Sequence, residues 1–235
     1  MVRLRGTYYC AGMRKALSAA LTAGLLSLVL VPAAGAAEDT TTTRDRAVSG
    51  LQAWLDGTSR LEATFRQSLI SSALGTKTAE SGRMYLERPG RLRWDYLDPE
   101  RKTALLIGEG TTLYLEEDQQ MIRGHLDSSG ALFPRLLAGR DRVTEAFDAR
   151  LVGTPASGGD GAYRLRLVPR GEAGGLSEVT LVLKPETFAI SGAEILDEAG
   201  NRTTYVLGSV RRNGRLPDGI FAFEPPPGTE IVDQP

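Results

Sequence analysis

The chain has 235 residues, 28 of them basic and 29 acidic, and its formal net charge of −1 gives no strong field of either sign. This balance argues against nucleic acid and anionic membrane surfaces as partners, because both are bound by basic patches. Cys10 is the only cysteine and His125 the only histidine, so an internal disulfide, a C-x-x-C pair and a histidine cluster for a metal are excluded.

The first 36 residues have the pattern of an export signal. Arg14 and Lys15 precede an almost wholly apolar stretch at 16–31, and an A-x-A cleavage site follows at 34–36. The apolar stretch is shorter than the ~20 residues that a transmembrane helix needs. An uncleaved N-terminal anchor is the alternative interpretation, and Met13 is an alternative start of the chain.

Cleavage after Ala36 predicts a mature protein at 37–235, which is long enough for a single domain with its own core. The cleaved segment contains four basic residues and no acidic one, so the mature net charge is −5. Bacterial lipoproteins carry their lipid on a cysteine directly after the apolar stretch, whereas Cys10 precedes it. We therefore expect a periplasmic protein that is neither acylated nor disulfide-bonded.

Two short helical regions are predicted, far apart in the sequence. The first lies at 44–55 and the second between 128 and 149, and both contain apolar residues at helical spacing. An apolar stripe must be covered, and the face of a sheet is its natural partner. The residues expected to face that sheet are Val48, Leu51 and Leu55 in the first region and Leu132, Phe133, Leu136 and Leu137 in the second.

Short alternating segments predict about eleven strands, separated by glycine-rich and acidic turns. Their regular spacing favours a β-barrel or β-sandwich over alternating βα units. The candidate strands are 61–70, 78–87, 91–96, 103–107, 111–116, 120–126, 150–152, 163–168, 178–183, 189–196, 202–210 and 220–224.

The sequence offers little for catalysis. Any histidine-based mechanism would have to use His125, whose neighbours indicate a strand end and a structural role. Carboxylate pairs such as Asp95 and Asp98 could serve a glycosidase, but such residues more commonly solvate strand edges and turns. Neither a nucleophile elbow nor a phosphate-binding glycine loop is present, so we expect a protein that is not an enzyme, with no cofactor and no metal.

Several strand faces are apolar, and their periodicity leaves two interpretations open. Such faces could fill a core, or they could line a cavity, because alternation alone does not distinguish the two. The faces concerned are Leu92/Trp94/Tyr96, Leu113/Leu115, Tyr163/Leu165/Leu167, Val179/Leu181/Leu183 and Phe221/Phe223.

Three segments, taken together in order, resemble a known family. Residues 88–96 read RPGRLRWDY, a proline-glycine turn followed by a half-buried strand. Upstream, residues 61–67 read LEATFRQ, and downstream, residues 221–228 read FAFEPPPG. In this order they are similar to the LolA-type periplasmic lipoprotein carriers, over about residues 48–232.

The resemblance implies an incomplete antiparallel β-barrel with short helices as a lid over an apolar cavity. Arg88 would latch the lid through hydrogen bonds from its guanidinium to backbone carbonyls of the helices. The two helical regions would form the lid. The cavity face would then include Leu92, Trp94, Tyr96, Leu113, Leu115, Leu165, Leu181, Phe221 and Phe223.

The resemblance also implies a function. Such a protein carries acylated lipoproteins as a monomer, receives them from an inner-membrane ABC transporter and delivers them to an outer-membrane receptor. The alternative is a paralogue of the same fold that binds another lipid or acts as a periplasmic sensor. Aromatic residues make up only 6% of the chain, and Leu92 stands where the family tends to have a ring, so the acyl preference stays open.

Overall fold

The computed structural model describes residues 40–125, 136–139, 141–155 and 160–234. The described residues belong to one compact unit. The predicted signal segment, Leu132 and Phe133 lie outside them. No helix in the described part of the chain is both long and apolar enough to cross a membrane.

Twelve strands and two helices make up the fold of the described residues. The helices are α1 (Thr40–Asp56) and α2 (Val143–Ala146), and residues 136 and 137 are also helical. The strands are β1 (Arg60–Ile70), β2 (Lys77–Glu87), β3 (Arg91–Asp98), β4 (Lys102–Ile107), β5 (Gly110–Leu115), β6 (Gln120–His125), β7 (Phe147–Gly153), β8 (Tyr163–Pro169), β9 (Leu176–Leu183), β10 (Ile190–Asp197), β11 (Arg202–Arg212) and β12 (Glu230–Asp233).

All twelve strands form one open sheet in the order β12-β6-β5-β4-β3-β2-β1-β11-β10-β9-β8-β7. Neighbouring strands are antiparallel except for β12, which pairs in parallel with β6. The predicted mainly β class, with an open sheet and few helices, is confirmed. Strand β12 was not predicted, because a four-residue segment after three consecutive prolines lacks a clear alternating pattern.

Helix α1 packs against one half of this sheet. It contacts β7, β8 and α2, and Val48, Leu51 and Leu55 are buried as the helical spacing predicts. The same buried cluster contains leucines and valines of β8 and β9. The apolar stripe of α1 is therefore part of the core of this half of the sheet.

The C-terminal segment differs from the prediction. Residues 220–224 were expected to form a strand, but they form turns and irregular backbone on the other face of the sheet. The Nη1 of Arg93 donates to the Ile220 carbonyl at 2.7 Å, and the Phe223 ring lies 5.2 Å from the Tyr114 ring. Prolines on both sides of the segment remove backbone donors, which prevents regular strand pairing.

Candidate functional site

A cavity of about 380 Å³ lies between the sheet and the helices. Its walls come from β1–β4, β10 and β11, so the open sheet curls around it, and Trp54, Leu55 and Leu137 close it from the helical side. The volume is in the range of small-molecule sites. Residues 173–176 complete the wall beside β9. Apart from Asp197 of β10, the sheet side chains that line the cavity are apolar or aromatic: Leu61, Met84, Leu86, Trp94, Tyr96, Ala104, Ile190, Ala193, Ile195, Tyr205 and Leu207.

Arg88 joins the sheet to both helical segments at one end of this cavity. Its Nη1 donates to the carbonyl of Leu55, in the last turn of α1. Its Nε donates to the carbonyl of Leu137 at 2.9 Å, and its Nη2 approaches that of Leu136 at 3.5 Å. A planar fork of donors thus binds carbonyls at the helix ends, two of which, those of Leu55 and Leu136, also accept a backbone N–H from the turn that follows.

Two glycines complete this junction. Gly139 has a positive φ of 79°, and a side chain there would lie 3.1 Å from the Arg88 side chain, so a glycine lets the helix end approach the arginine. The Gly90 N–H donates to the Ala138 carbonyl at 3.2 Å. Three consecutive carbonyls, of Leu136, Leu137 and Ala138, are therefore bound by β2–β3 turn residues.

The helical segments are also joined to each other. The Gln52 side-chain oxygen of α1 accepts a hydrogen bond of 2.9 Å from the N–H of Val143, at the start of α2. At the end of α1, the buried Thr58 hydroxyl donates to the Trp54 carbonyl at 2.6 Å and lines the cavity. Hydrogen bonds thus hold the helical segments together on the side where they cover the apolar cavity.

The electrostatic setting of Arg88 follows from its burial. Loss of solvent lowers the pKa of its guanidinium, while the nearby Asp56 carboxylate acts in the opposite direction. An arginine keeps its proton at neutral pH even so. A half-buried cation is thus bound almost entirely by backbone carbonyls, whose dipoles point toward it.

The predicted cavity residues fall into three groups. Trp94 and Tyr96 line the cavity, and Leu113 and Leu115 lie half-buried on the same face, because β4–β5 pairing places them opposite Ala104 and Lys102.

A second group, Leu92, Leu165 and Leu181, is completely buried in the cluster that includes α1, so these leucines fill the core beside the cavity. The third group lies elsewhere. Phe221 lines a separate cleft of about 620 Å³ with Arg60 and Arg91, and Phe223 packs on Tyr114 on the opposite face of the sheet.

Several lining residues were not found from the sequence. Tyr205 and Leu207 lie in β11, whose alternation is broken by polar residues on both faces. Ala104 and Ala193 are too small to mark an apolar face. The signal for Tyr205 would have been its pairing with Gln67 of β1, and pairing partners are not visible in a single sequence.

Metal-binding and catalytic side chains are sparse in the described residues. They contain no group of three or more histidine, cysteine, aspartate or glutamate side chains that could hold a metal ion. His125 is exposed at the end of β6, paired with Gly110 of β5. The described part of the site offers apolar surface, an arginine bound to backbone carbonyls and a few buried polar groups.

The fold and the cavity define a class of protein: an open, curled β-sheet that encloses an apolar ligand cavity beneath helical segments. The family model described as outer membrane lipoprotein carrier protein LolA matches residues 56–224, and the chain belongs to this family. The resemblance seen in the three sequence segments is thereby confirmed.

Individual relatives cover most of the chain. An outer-membrane lipoprotein carrier protein from Methylococcus capsulatus is 29% identical over 186 residues, covering 79% of this chain and 86% of that protein. One from Chromobacterium violaceum is 30% identical over 190 residues, covering 79% and 87%. A crystal structure of an uncharacterized conserved protein from Thermus thermophilus has a TM-score of 0.52 at 14% identity, covering 82% of this chain and 99% of that one, which shows the fold alone.

Proposed function

We propose that this protein is a periplasmic carrier that holds the acyl chains of lipoproteins in the helix-covered cavity. The observation that carries the proposal is the cavity itself: about 380 Å³ of almost wholly apolar space inside a member of the lipoprotein carrier family. The names of its relatives support the same cargo. Export to the periplasm, with cleavage after Ala36, is part of the proposal.

The physical need for such a cavity is simple. Each buried CH₂ of an acyl chain is worth ~0.8 kcal/mol, so a lipoprotein with several chains cannot cross water unaided. A dry, apolar pocket replaces the membrane during transit. The proposed acyl contacts are Trp94, Tyr96 and the lining residues of β10 and β11, with Leu113 and Leu115 at the margin.

Arg88 supplies a means of release. In the closed state its three donors bind carbonyls of both helical segments. Loading requires the helical side to open, which exchanges these hydrogen bonds for contacts with acyl chains. Reforming them favours the empty state and thereby expels the cargo. We propose that the donor is an inner-membrane ABC transporter and the acceptor an outer-membrane receptor, and that the carrier acts as a monomer.

A cavity-filling variant tests the proposal. Ala104 lines the cavity, whereas Ile107 of the same strand points from the other face and is 44% exposed. Ala104→Phe places a ring in the acyl space and should lower affinity for a diacylated lipopeptide, measured by titration calorimetry. Ile107→Phe is the matched control and should bind as the parent does. A parent protein that fails to bind the lipopeptide, or equal binding by all three, would overturn the proposed function.

A further inference from the structure

The apolar cavity has a polar end. Five polar or amphipathic side chains lie side by side on the concave face of β1, β2, β3, β4 and β11, and two of them, Tyr96 and Tyr205, line the cavity itself. The strand registers place Gln67 between Glu80 and Tyr205, and Tyr96 opposite Lys102. We call these five residues the polar band.

Hydrogen bonds connect four members of the polar band into one network. The Tyr96 hydroxyl donates to Oε1 of Gln67 at 3.0 Å, and Nε2 of Gln67 donates to Glu80 at 3.0 Å. The other Glu80 oxygen accepts from Nζ of Lys102, which also lies 4.4 Å from the centre of the Tyr96 ring. Tyr205 lies opposite Gln67 in the β1–β11 pairing, and its ring lies 6.2 Å from the Phe65 ring.

The network is electrically neutral and partly shielded from water. Lys102 and Glu80 compensate each other, with side chains 23% and 15% exposed. The other three members of the polar band, Gln67, Tyr96 and Tyr205, are uncharged. Such a set provides hydrogen bonds for a neutral acceptor and offers no net positive charge to a carboxylate or a phosphate.

The polar band and Arg88 lie at opposite ends of the cavity. Strand β2 runs from Glu80 in the band to Glu87, directly before Arg88, a distance of roughly 23 Å at 3.3 Å per residue. Met84 and Leu86 line the cavity between them. The cavity is therefore apolar along its length and polar at the end remote from the latch.

A cavity lined only by apolar side chains would bind hydrocarbon better than one that ends in polar groups, since buried polar groups cost free energy unless they are paired. We infer that the polar band binds the ester carbonyls that join acyl chains to glycerol, and so fixes the orientation of the cargo. The inference rests on the proposed function. The hydrocarbon then points toward Arg88 and the helices, and the glyceryl group lies beside Tyr96 and Tyr205.

Tyr205 is the best-placed donor of the band. The Tyr96 hydroxyl donates to Gln67, whereas the Tyr205 hydroxyl, which also lines the cavity, can turn its hydrogen toward a carbonyl that enters. Burial raises the pKa of both tyrosines, so both hydroxyls keep their protons over the physiological range. The Tyr96 ring contacts Phe65 at 5.0 Å, which fixes the position of its hydroxyl.

The test compares two probes on the mature protein: a diacylated lipopeptide with ester-linked chains, and its dialkyl ether analogue, which lacks the carbonyls. The parent should bind the ester probe about tenfold more tightly than the ether probe, the scale of one hydrogen bond in an apolar site. Tyr205→Phe should remove this preference, because it should weaken binding of the ester probe more than binding of the ether probe. Tyr114→Phe, on the opposite face of the sheet, is the matched control and should retain the preference.

The outcomes separate the two proposals. Equal binding of the two probes by the parent, or an unchanged preference in both Tyr205→Phe and Tyr96→Phe, would overturn the role of the polar band while leaving the carrier function intact. Failure of the parent to bind either probe would instead contradict the carrier function. Thermal unfolding of each variant confirms that a change in affinity does not come from loss of fold.

Discussion

At the scale of single residues, Arg88 has the most direct link to function. Its side chain binds the end of α1 and the 136–137 turn together, through Leu55, Leu136 and Leu137. Because the acceptors are backbone carbonyls, the contact does not depend on the side chains of the helices. A single substitution on the sheet can therefore loosen both helical segments.

Arg88→Leu should strengthen loading and weaken release. It removes the donors that hold the closed state, so closing competes less with binding of acyl chains. We expect higher affinity for a diacylated lipopeptide and slower transfer of bound lipoprotein to acceptor membranes, measured separately. Arg91→Leu is the matched control, since Arg91 is 51% exposed and pairs with Glu87 on the surface. Unchanged loading and transfer in Arg88→Leu would show that Arg88 does not hold the closed state.

Because of the tyrosines of the polar band, we expect the free energy of unfolding to fall in alkali. Burial, together with the charge on Glu80, raises the folded-state pKa of Tyr96 and Tyr205 above the ordinary value of about 10. A raised pKa contributes stability that is complete below the unfolded pKa and is lost as the pH rises above it. The free energy of unfolding should therefore fall between pH 10 and 11.

Urea denaturation across pH 8–11 measures this fall. The double variant Tyr96→Phe/Tyr205→Phe should show a shallower decline, since it removes the two groups responsible. Tyr114→Phe should keep the parent slope. A parent stability that stays level above pH 10 would show that burial of these hydroxyls is weaker than the structure indicates.

At the scale of elements, α1 is more firmly held than a simple lid. Its buried stripe belongs to the core cluster, and the Phe188 ring packs directly against Gly50. An added Cβ at Gly50 would overlap the middle of this ring. The glycine in mid-helix thus exists for close packing with the β9–β10 connection.

Gly50→Ala should destabilise the protein although alanine is the better helix former. The gain in helix propensity, at most ~1 kcal/mol, is exceeded by overpacking, which typically costs ~1–3 kcal/mol. Urea denaturation should show a net loss in the free energy of unfolding. Ser49→Ala, at an exposed position of the same helix, should change it by less than ~0.5 kcal/mol. A more stable Gly50→Ala variant would show that Phe188 moves aside without cost.

Most elements could be predicted from the sequence because period-two alternation directly reflects a sheet with one buried face. The limits have physical causes. Leu92 and Trp94 share a face of β3, but Leu92 is buried in the core and Trp94 lines the cavity, and that difference is set by what lies above them. Phe221 and Phe223 alternate as in a strand, yet the neighbouring prolines leave them on the opposite side of the sheet.

At the scale of the whole molecule, different parts of the sheet have different roles. On one half, α1 packs against β7 and β8 and builds the core. In the middle, β1–β4, β10 and β11 curl around the cavity, where Arg88 and the polar band occupy opposite ends. Beyond, the C-terminal segment covers the other face and ends as β12 beside β6. A rigid core beside an apolar space suits a protein that must stay folded both loaded and empty.

The most direct test of the central claim is mass spectrometry of the protein isolated under native conditions from the periplasm of its own cells. A lipoprotein carrier should be recovered with a fraction of its molecules bound to intact acylated lipoproteins, and this fraction should be smaller in Ala104→Phe. Protein that is recovered without acylated cargo, or with a non-acylated ligand in the cavity, would contradict this claim.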